Sequence, residues 1–211
     1  TEAGDVYVDG SGSEYYFTTE GVMVGYRARL PHNVSLDDKL PEDEIIKIAN
    51  QYGKVYFGDK FEGYVIDDIF FTELDKDYSL SFERKYGEDE FATGEKIDMT
   101  IMCDGRLYCC VIRNYGEMKD FDASLLDGVT FETAEEYAKS QAAELFPDLK
   151  EIWINNIRIV KKDGKYTLQL CYNHITENYP SDEMQTKYNI NVLMTMDRCE
   201  FAMNYYYPLE K

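Results

Sequence analysis

The chain has 211 residues and a hydrophobic fraction of 44%, as expected for one or two globular domains. Its net charge of −19 repels phosphate groups, so neither nucleic acid nor an anionic membrane surface is expected as a partner. The 19 Tyr and 11 Phe residues predict a large sheet content, because these side chains suit half-buried strands.

The N-terminal segment, residues 1–14, is predicted to be a flexible linker, because Gly10-Ser11-Gly12-Ser13 carries no apolar side chain. No signal peptide is visible, and a removed signal or anchor upstream of Thr1, or trimming of a recombinant chain, would explain this start. No apolar run reaches the roughly 18 residues of a membrane span, so this segment is not expected to insert directly into a membrane. Residues 15–33 follow as a β-hairpin, which belongs either to an earlier repeat or to the first sheet.

Two segments have the apolar periodicity of amphipathic helices. The first, 41–52, starts at Pro41 and continues with acidic residues, which are favoured at the positive end of a helix dipole. The second, 133–146, is ended by Pro147. The apolar stripes are Ile45, Ile48, Ala49 and Tyr52 in the first helix, and Ala134, Tyr137, Ala138, Ala142 and Leu145 in the second.

The residues after the two helices match each other at an offset of 88 positions. Ile66-Asp67-Asp68-Ile69 corresponds to Ile154-Asn155-Asn156-Ile157, and strand-like alternation follows in both places. Regular matches of this kind indicate an internal duplication. The predicted fold class is therefore α+β, with two tandem repeats, 34–122 and 123–211. Each repeat is one helix packed on a four-stranded antiparallel sheet, and the N-terminal β-hairpin is added to them.

A polar loop is predicted to separate the first two strands of each repeat from the last two. The predicted loops are 87–95 and 176–187, and the predicted strands after them are 97–101 and 107–115 in the first repeat and 188–192 and 199–207 in the second. Asp104-Gly105 suits the last turn of the first repeat. Asp197-Arg198 stands at that point in the second repeat, without a glycine.

Three features carry a resemblance to a known family: the helical segment 45–52, the run Tyr78-Ser79-Leu80-Ser81-Phe82 with Arg84, and 97–107 with its Asp104-Gly105 turn. They resemble the PepSY-like repeats of exported bacterial proteins, including the YcdB/YcdC-type proteins. The resemblance implies a cystatin-like α+β fold, a cell-envelope setting and a role in binding or inhibiting proteins. It supplies no catalytic residues.

Patterns for catalysis or metal binding are weak. Cys171 and His174 are three residues apart on a strand, so they are expected to point to opposite faces. The five cysteines fit no zinc spacing, and one disulfide, between Cys103 and either Cys109 or Cys110, stays open. We therefore predict no metal site, no cofactor and no enzyme activity, and a hydrolase ranks third among the candidate functions.

Tyrosine clusters near both ends are the predicted binding residues: Tyr15, Tyr16, Tyr205, Tyr206 and Tyr207. Strand alternation turns at least one ring of each cluster outward, and exposed Tyr rings anchor protein or sugar surfaces well. The alternative is that these rings cover apolar edges between the repeats. The preferred function is binding or inhibition of a protein or peptide at the cell surface, through a sheet face or edge. A cell-wall glycan-binding module is the alternative.

Overall fold

The computed structural model describes residues 4–29, 34–194 and 199–209. The chain is an α+β protein that divides into two compact units. Unit 1 comprises Thr1–Lys85 and Gly94–Lys119, and unit 2 comprises Tyr86–Thr93 and Asp120–Lys211. Tyr86–Thr93 thus falls in unit 2, although it lies within the predicted first repeat, 34–122. Residues 30–33 of the predicted hairpin segment and the Asp197-Arg198 turn lie outside the described residues.

The strands that lie wholly or mainly in unit 1 are β1 (Val6–Val8), β2 (Glu14–Phe17), β3 (Met23–Arg27), β4 (Tyr64–Thr72), β5 (Asp77–Tyr86), β6 (Phe91–Met102) and β7 (Leu107–Arg113). They pair in the order β1-β2-β3-β7-β6-β5-β4. The β2–β3 hairpin pairs with β7 in antiparallel orientation. The predicted N-terminal hairpin therefore extends the first sheet, which was one of its two interpretations.

Helix α1 (Glu42–Phe57) packs on the sheet of unit 1 and is longer than the predicted segment. Acidic side chains occupy its first turn, where they oppose the positive end of the helix dipole. Ile45 and Ala49 are fully buried and belong to one cluster with Ile97, Met99 and Ile101 of β6. Every second residue of β6 is buried, so one face of this strand packs toward the protein interior.

The predicted linker contains a strand, β1. Its residues pair in register with β2, and their β-branched and aromatic side chains favour a strand. Asp9 accepts hydrogen bonds from the backbone N–H groups of Ser11 at 2.8 Å and Ser13 at 3.0 Å. The Ser11 hydroxyl and these N–H groups lower the pKa of Asp9. The Gly/Ser stretch is therefore a hydrogen-bonded turn, because an Asp side chain organises it.

The strands of unit 2 are β8 (Leu149–Lys162), β9 (Lys165–Thr176), β10 (Asn191–Met194) and β11 (Cys199–Pro208). They pair antiparallel in the order β8-β9-β11-β10, and Ala92 pairs in parallel with Arg158 of β8. Helix α2 (Phe131–Leu145) packs on β8, β9 and β11. Its fully buried residues are Ala134, Ala138 and Ala142.

The regions predicted as polar loops contain regular structure. The predicted loop 87–95 is partly strand, because β6 begins at Phe91. The predicted loop 176–187 contains helix α3 (Asp182–Tyr188), where the Ser181 side chain accepts a hydrogen bond from the Met184 N–H. The strand predicted at 188–192 begins instead at Asn191, and β11 lies between β9 and β10.

Gly53 of α1 lies against the ring of Phe61, and a methyl group added there would come within 2.4 Å of Phe61 Cε2. Alanine normally favours a helix over glycine by about 1 kcal/mol. Overpacking costs about 1–3 kcal/mol, so we expect Gly53→Ala to lower the free energy of unfolding by about 1 kcal/mol in urea denaturation. The exposed control Gln51→Ala should change it by less than about 0.5 kcal/mol. A stabilised Gly53→Ala variant would contradict this packing.

Candidate functional site

Strand β1 is an edge strand of unit 1 with highly exposed apolar side chains. Among the described residues it pairs with β2 alone. Val6, Tyr7 and Val8 expose 53%, 61% and 64% of their surface. An unpaired strand edge offers backbone N–H and C=O groups to an added strand. The β1 edge can therefore accept an extended peptide and contact it through apolar side chains.

A cavity of about 340 Å³ lies at this edge, within the lower part of the size range of ligand sites. Its lining residues are Asp5, Tyr7, Tyr15, Phe17 and Gly21. The rings of Tyr7 and Phe17 meet edge to face with their centroids 5.4 Å apart. The cavity therefore offers aromatic walls and one carboxylate, which suit an apolar group with a neighbouring cation or hydrogen-bond donor.

Four aromatic rings, here named the tyrosine row, lie side by side between this cavity and α1. They belong to Tyr7, Tyr15, Tyr26 and Tyr56. Tyr15 lies directly opposite Tyr7 on β1 and Tyr26 on β3, so the three share one face of the sheet. The ring centroids of Tyr15 and Tyr26 are 5.2 Å apart, and those of Tyr26 and Tyr56 are 4.7 Å apart. Burial, and then the hydrogen bond with Tyr26, raise the pKa of Tyr56. The row is thus a neutral amphipathic surface.

Of the predicted binding residues in unit 1, Tyr15 belongs to the tyrosine row and Tyr16 does not. Tyr16 lies on the other face of β2, opposite Gly25, and its ring packs over that glycine. Its hydroxyl donates a hydrogen bond to Glu14. Tyr16 therefore faces away from the cavity at β1.

Of the predicted binding tyrosines of unit 2, one is buried and two are half-buried. Tyr205 is buried because β11 is an inner strand and this position faces the core. Its hydroxyl lies 2.7 Å from Nε2 of His174. The Tyr207 ring contacts Tyr137 of α2 at a centroid distance of 5.3 Å. Tyr206 points to the opposite face, where Lys162 Nζ lies 3.4 Å from its ring centroid.

His174 is fully buried in an aromatic cluster of unit 2. Its ring stacks parallel to Phe201, with centroids 4.8 Å apart, and Phe146 packs at 5.6 Å. Burial lowers the pKa of His174 to about 4, so the ring is neutral at neutral pH. Cys171 lies on the opposite face of β9, as the strand period requires, and the two side chains do not form a nucleophile–base pair.

Unit 1 also contains an ion pair between the half-buried Arg84 of β5 and the buried Glu95 of β6. Glu95 is 2% exposed, and its Oε1 accepts hydrogen bonds from the N–H groups of Gly116 at 2.9 Å and Met118 at 3.2 Å. Its Oε2 lies 3.4 Å from the Tyr64 hydroxyl and 3.7 Å from Arg84 Nη1. Both carboxylate oxygens are therefore satisfied, as burial of a charge requires.

Glu95 is not among the predicted binding residues, because its segment is predicted as a polar loop. Thr93 and Glu95 both point inward, and inward polar residues break the apolar alternation by which a strand is recognised. Arg84 was named only within the PepSY-like motif. The signal that could have located Glu95 is the period of two set by Ile97, Met99 and Ile101, because counting back two residues from Ile97 gives Glu95 on the same face.

The remaining sequence predictions concern metal binding, a disulfide and membrane insertion. Within the described residues, no group of three or more His, Cys, Asp or Glu side chains is placed to hold a metal ion. All five cysteines are free thiols, so the disulfide considered between Cys103 and Cys109 or Cys110 does not form. In the described part of the chain, no helix is both long enough and apolar enough to cross a membrane.

Comparison with known proteins gives one weak similarity. No protein-family model matches the chain, and no curated protein matches it. Among solved structures, the Bacillus megaterium YpeB C-terminal domain is similar over 82% of this chain and 76% of that one, with 16% identity and a TM-score of 0.38. A similarity at that score supports no argument about fold or function.

The buried His174 predicts a pH-dependent stability. The folded state holds the ring neutral, with a pKa of about 4, whereas the unfolded chain takes up a proton near the ordinary value of 6.5. The contribution is therefore fully present above about pH 6.5, and up to about 3 kcal/mol is lost as the pH falls to about 4. Urea unfolding at a series of pH values should show a flatter dependence for the double variant His174→Phe with Tyr205→Phe. Parallel curves for the two proteins would contradict this.

Removal of the Glu95 carboxylate should strongly destabilise unit 1. Glu95→Ala leaves Arg84 without its ion-pair partner, and we expect the free energy of unfolding to fall by about 3–5 kcal/mol. Hydrogen exchange at the amides of Gly116 and Met118 should accelerate, because these lose their acceptor. The control Glu73→Ala, in the exposed turn before β5, should cost less than about 0.5 kcal/mol. Equal losses for the two variants would show that the pair does not stabilise the fold.

Proposed function

We propose that the chain is a non-catalytic protein of the cell envelope, outside the cytoplasm. It binds or inhibits another protein by accepting an extended segment of that protein on the edge of β1. The observation that carries this proposal is the exposed apolar edge of β1 beside the cavity at Tyr7. The envelope setting rests on the resemblance of the sequence to PepSY-like repeats.

The chemistry of the edge defines the segment that it would accept. A peptide added to β1 gains backbone hydrogen bonds irrespective of its sequence, and its alternate side chains give specificity. A side chain directed into the cavity meets Tyr7 and Phe17, so an apolar or aromatic residue fits there. Asp5 at the same cavity and the net charge of −19 favour a basic residue next to it.

A cell-wall glycan is the second candidate ligand, and the tyrosine row is the observation that favours it. Tyr7, Tyr15 and Tyr26 share one face, and their rings combine apolar surfaces with hydroxyl groups. A sugar ring can pack on such a surface while its hydroxyls bond to Asp5. The peptide is preferred because, among the described residues, the outer edge of β1 also offers backbone groups without a strand partner.

An internal duplication remains part of the proposal, over a shorter span than the whole units. Strands β4 and β8 each follow the long helix of their own unit, and both carry an irregularity in pairing at matching positions. The register shifts between Ile66 and Asp68 in β4, and between Ile154 and Asn156 in β8. The order β8-β9-β11-β10 departs from β4-β5-β6-β7. The proposed duplication therefore covers the helix and the hairpin after it.

Peptide binding at β1 is tested by selecting peptides from a phage-displayed library and measuring the affinity of one selected synthetic peptide. Tyr7→Ala is expected to weaken the affinity by about tenfold or more, because a Tyr anchor at an interface commonly contributes about 2 kcal/mol. Hydrogen exchange at the amides of β1 should slow on binding, because an added strand protects that edge.

Two controls separate the ligands. Tyr206→Ala, in unit 2, should bind the selected peptide with wild-type affinity. Sedimentation with insoluble peptidoglycan tests the glycan hypothesis. If Tyr7→Ala abolishes binding to peptidoglycan and no peptide protects the amides of β1, the ligand is a glycan. Wild-type binding of both ligands by Tyr7→Ala would overturn the assignment of the site to β1.

A further inference from the structure

Unit 1 contains a second, larger cavity of about 660 Å³, well within the size range of small-molecule sites. Residues 18–20 after β2, residues 59–60 after α1 and residues near 115–119 after β7 contribute to its lining. Arg84 and Glu95 line it as well. The Arg84–Glu95 ion pair and three segments that are distant in the sequence therefore line the same cavity.

The ion pair holds two of these segments in place. Arg84 Nη2 donates a hydrogen bond to the carbonyl oxygen of Lys60 at 2.8 Å. Glu95 Oε1 accepts one from the N–H of Gly116 at 2.9 Å. A buried ion pair contributes little net stability compared with apolar packing, but it can specify one conformation. Here the conformation specified brings Lys60 and Lys119 to the same cavity.

Within the part of the chain that the structure describes, Lys60 and Lys119 lack acidic partners. Among the described residues, no ion pair involves Lys60 or Lys119, although the chain has 41 acidic and only 22 basic residues. Lys60 Nζ lies 5.7 Å from the centroid of the Tyr115 ring, which also lines the cavity. Glu20 and Asp59 line it too. The lining thus presents ammonium groups and carboxylates that do not neutralise one another by direct contact.

We propose that this cavity binds a zwitterionic ligand of the amino-acid or short-peptide class. The ligand carboxylate lies at Lys60 and Lys119, and its ammonium group at Asp59 and Glu20. A ligand with both charges satisfies both sets of side chains, whereas a simple anion leaves the two carboxylates facing it. The inference is independent of peptide addition at β1, because it concerns different residues and the free ends of a small molecule.

The experiment uses tri-alanine with free termini as the probe and the full chain as the protein. Binding is followed by isothermal titration calorimetry and by amide chemical shifts, which should move at Gly116 and Thr19. Lys60→Gln and Lys119→Gln should each weaken binding about tenfold, as expected for loss of a charge-assisted hydrogen bond. The N-acetylated and C-amidated forms of the probe should also bind about tenfold more weakly, since each lacks one charge.

The controls decide between this ligand class and others. Lys54→Gln, an exposed lysine of α1 outside the cavity lining, and Tyr7→Ala at the β1 edge should both bind tri-alanine as the wild type does. The proposal is overturned if tri-alanine causes no shift at the cavity, or if the lysine variants retain full affinity. Displacement of tri-alanine by inorganic phosphate at equal concentration would assign the cavity to anions instead.

Discussion

The burial of one carboxylate, that of Glu95, is the constraint on which much of unit 1 depends. A charge taken out of water must be paired and hydrogen-bonded, so it draws donors from other parts of the chain. Arg84 supplies the opposite charge from the neighbouring strand, and the backbone N–H of Gly116 supplies a hydrogen-bond donor from the segment after β7. An apolar residue at position 95 could fill the same inward position, but it could not hold that segment. The carboxylate therefore determines a loop conformation that apolar packing would leave undefined.

Each unit packs a helix on a sheet, but the two units differ in whether the helix or the sheet supplies the large buried side chains. In unit 1, α1 contributes large buried residues such as Ile45 and Phe57 to the core. In unit 2, the buried face of α2 consists of alanines, and the sheet supplies the bulk through Leu170, Tyr172 and Phe201. Both arrangements can reach the dense packing of a protein interior, because only the summed volume between the layers is constrained.

The sheet edges differ in how they are protected. Strand β4 carries Asp67 and Asp68 at a break in its register, and charges and bulges of this kind discourage pairing with another chain. Strand β1 carries Val6, Tyr7 and Val8, with no charge and no break in its register with β2. An unprotected apolar edge in so acidic a chain fits a surface that has a partner, which is why the binding proposal is placed there.

Local sequence patterns were sufficient to predict the α+β class, the two long helices and the hairpins beside them. The spacing of Ile45, Ala49 and Tyr52 and the strand alternation of 78–82 are local patterns, which one segment encodes alone. Tertiary contacts were needed to establish that 91–95 belong to β6, that β11 lies between β9 and β10, and that Tyr205 is buried. These outcomes depend on partners far away in the chain, as Glu95 depends on Gly116, and no local pattern records which distant group will satisfy a buried polar atom.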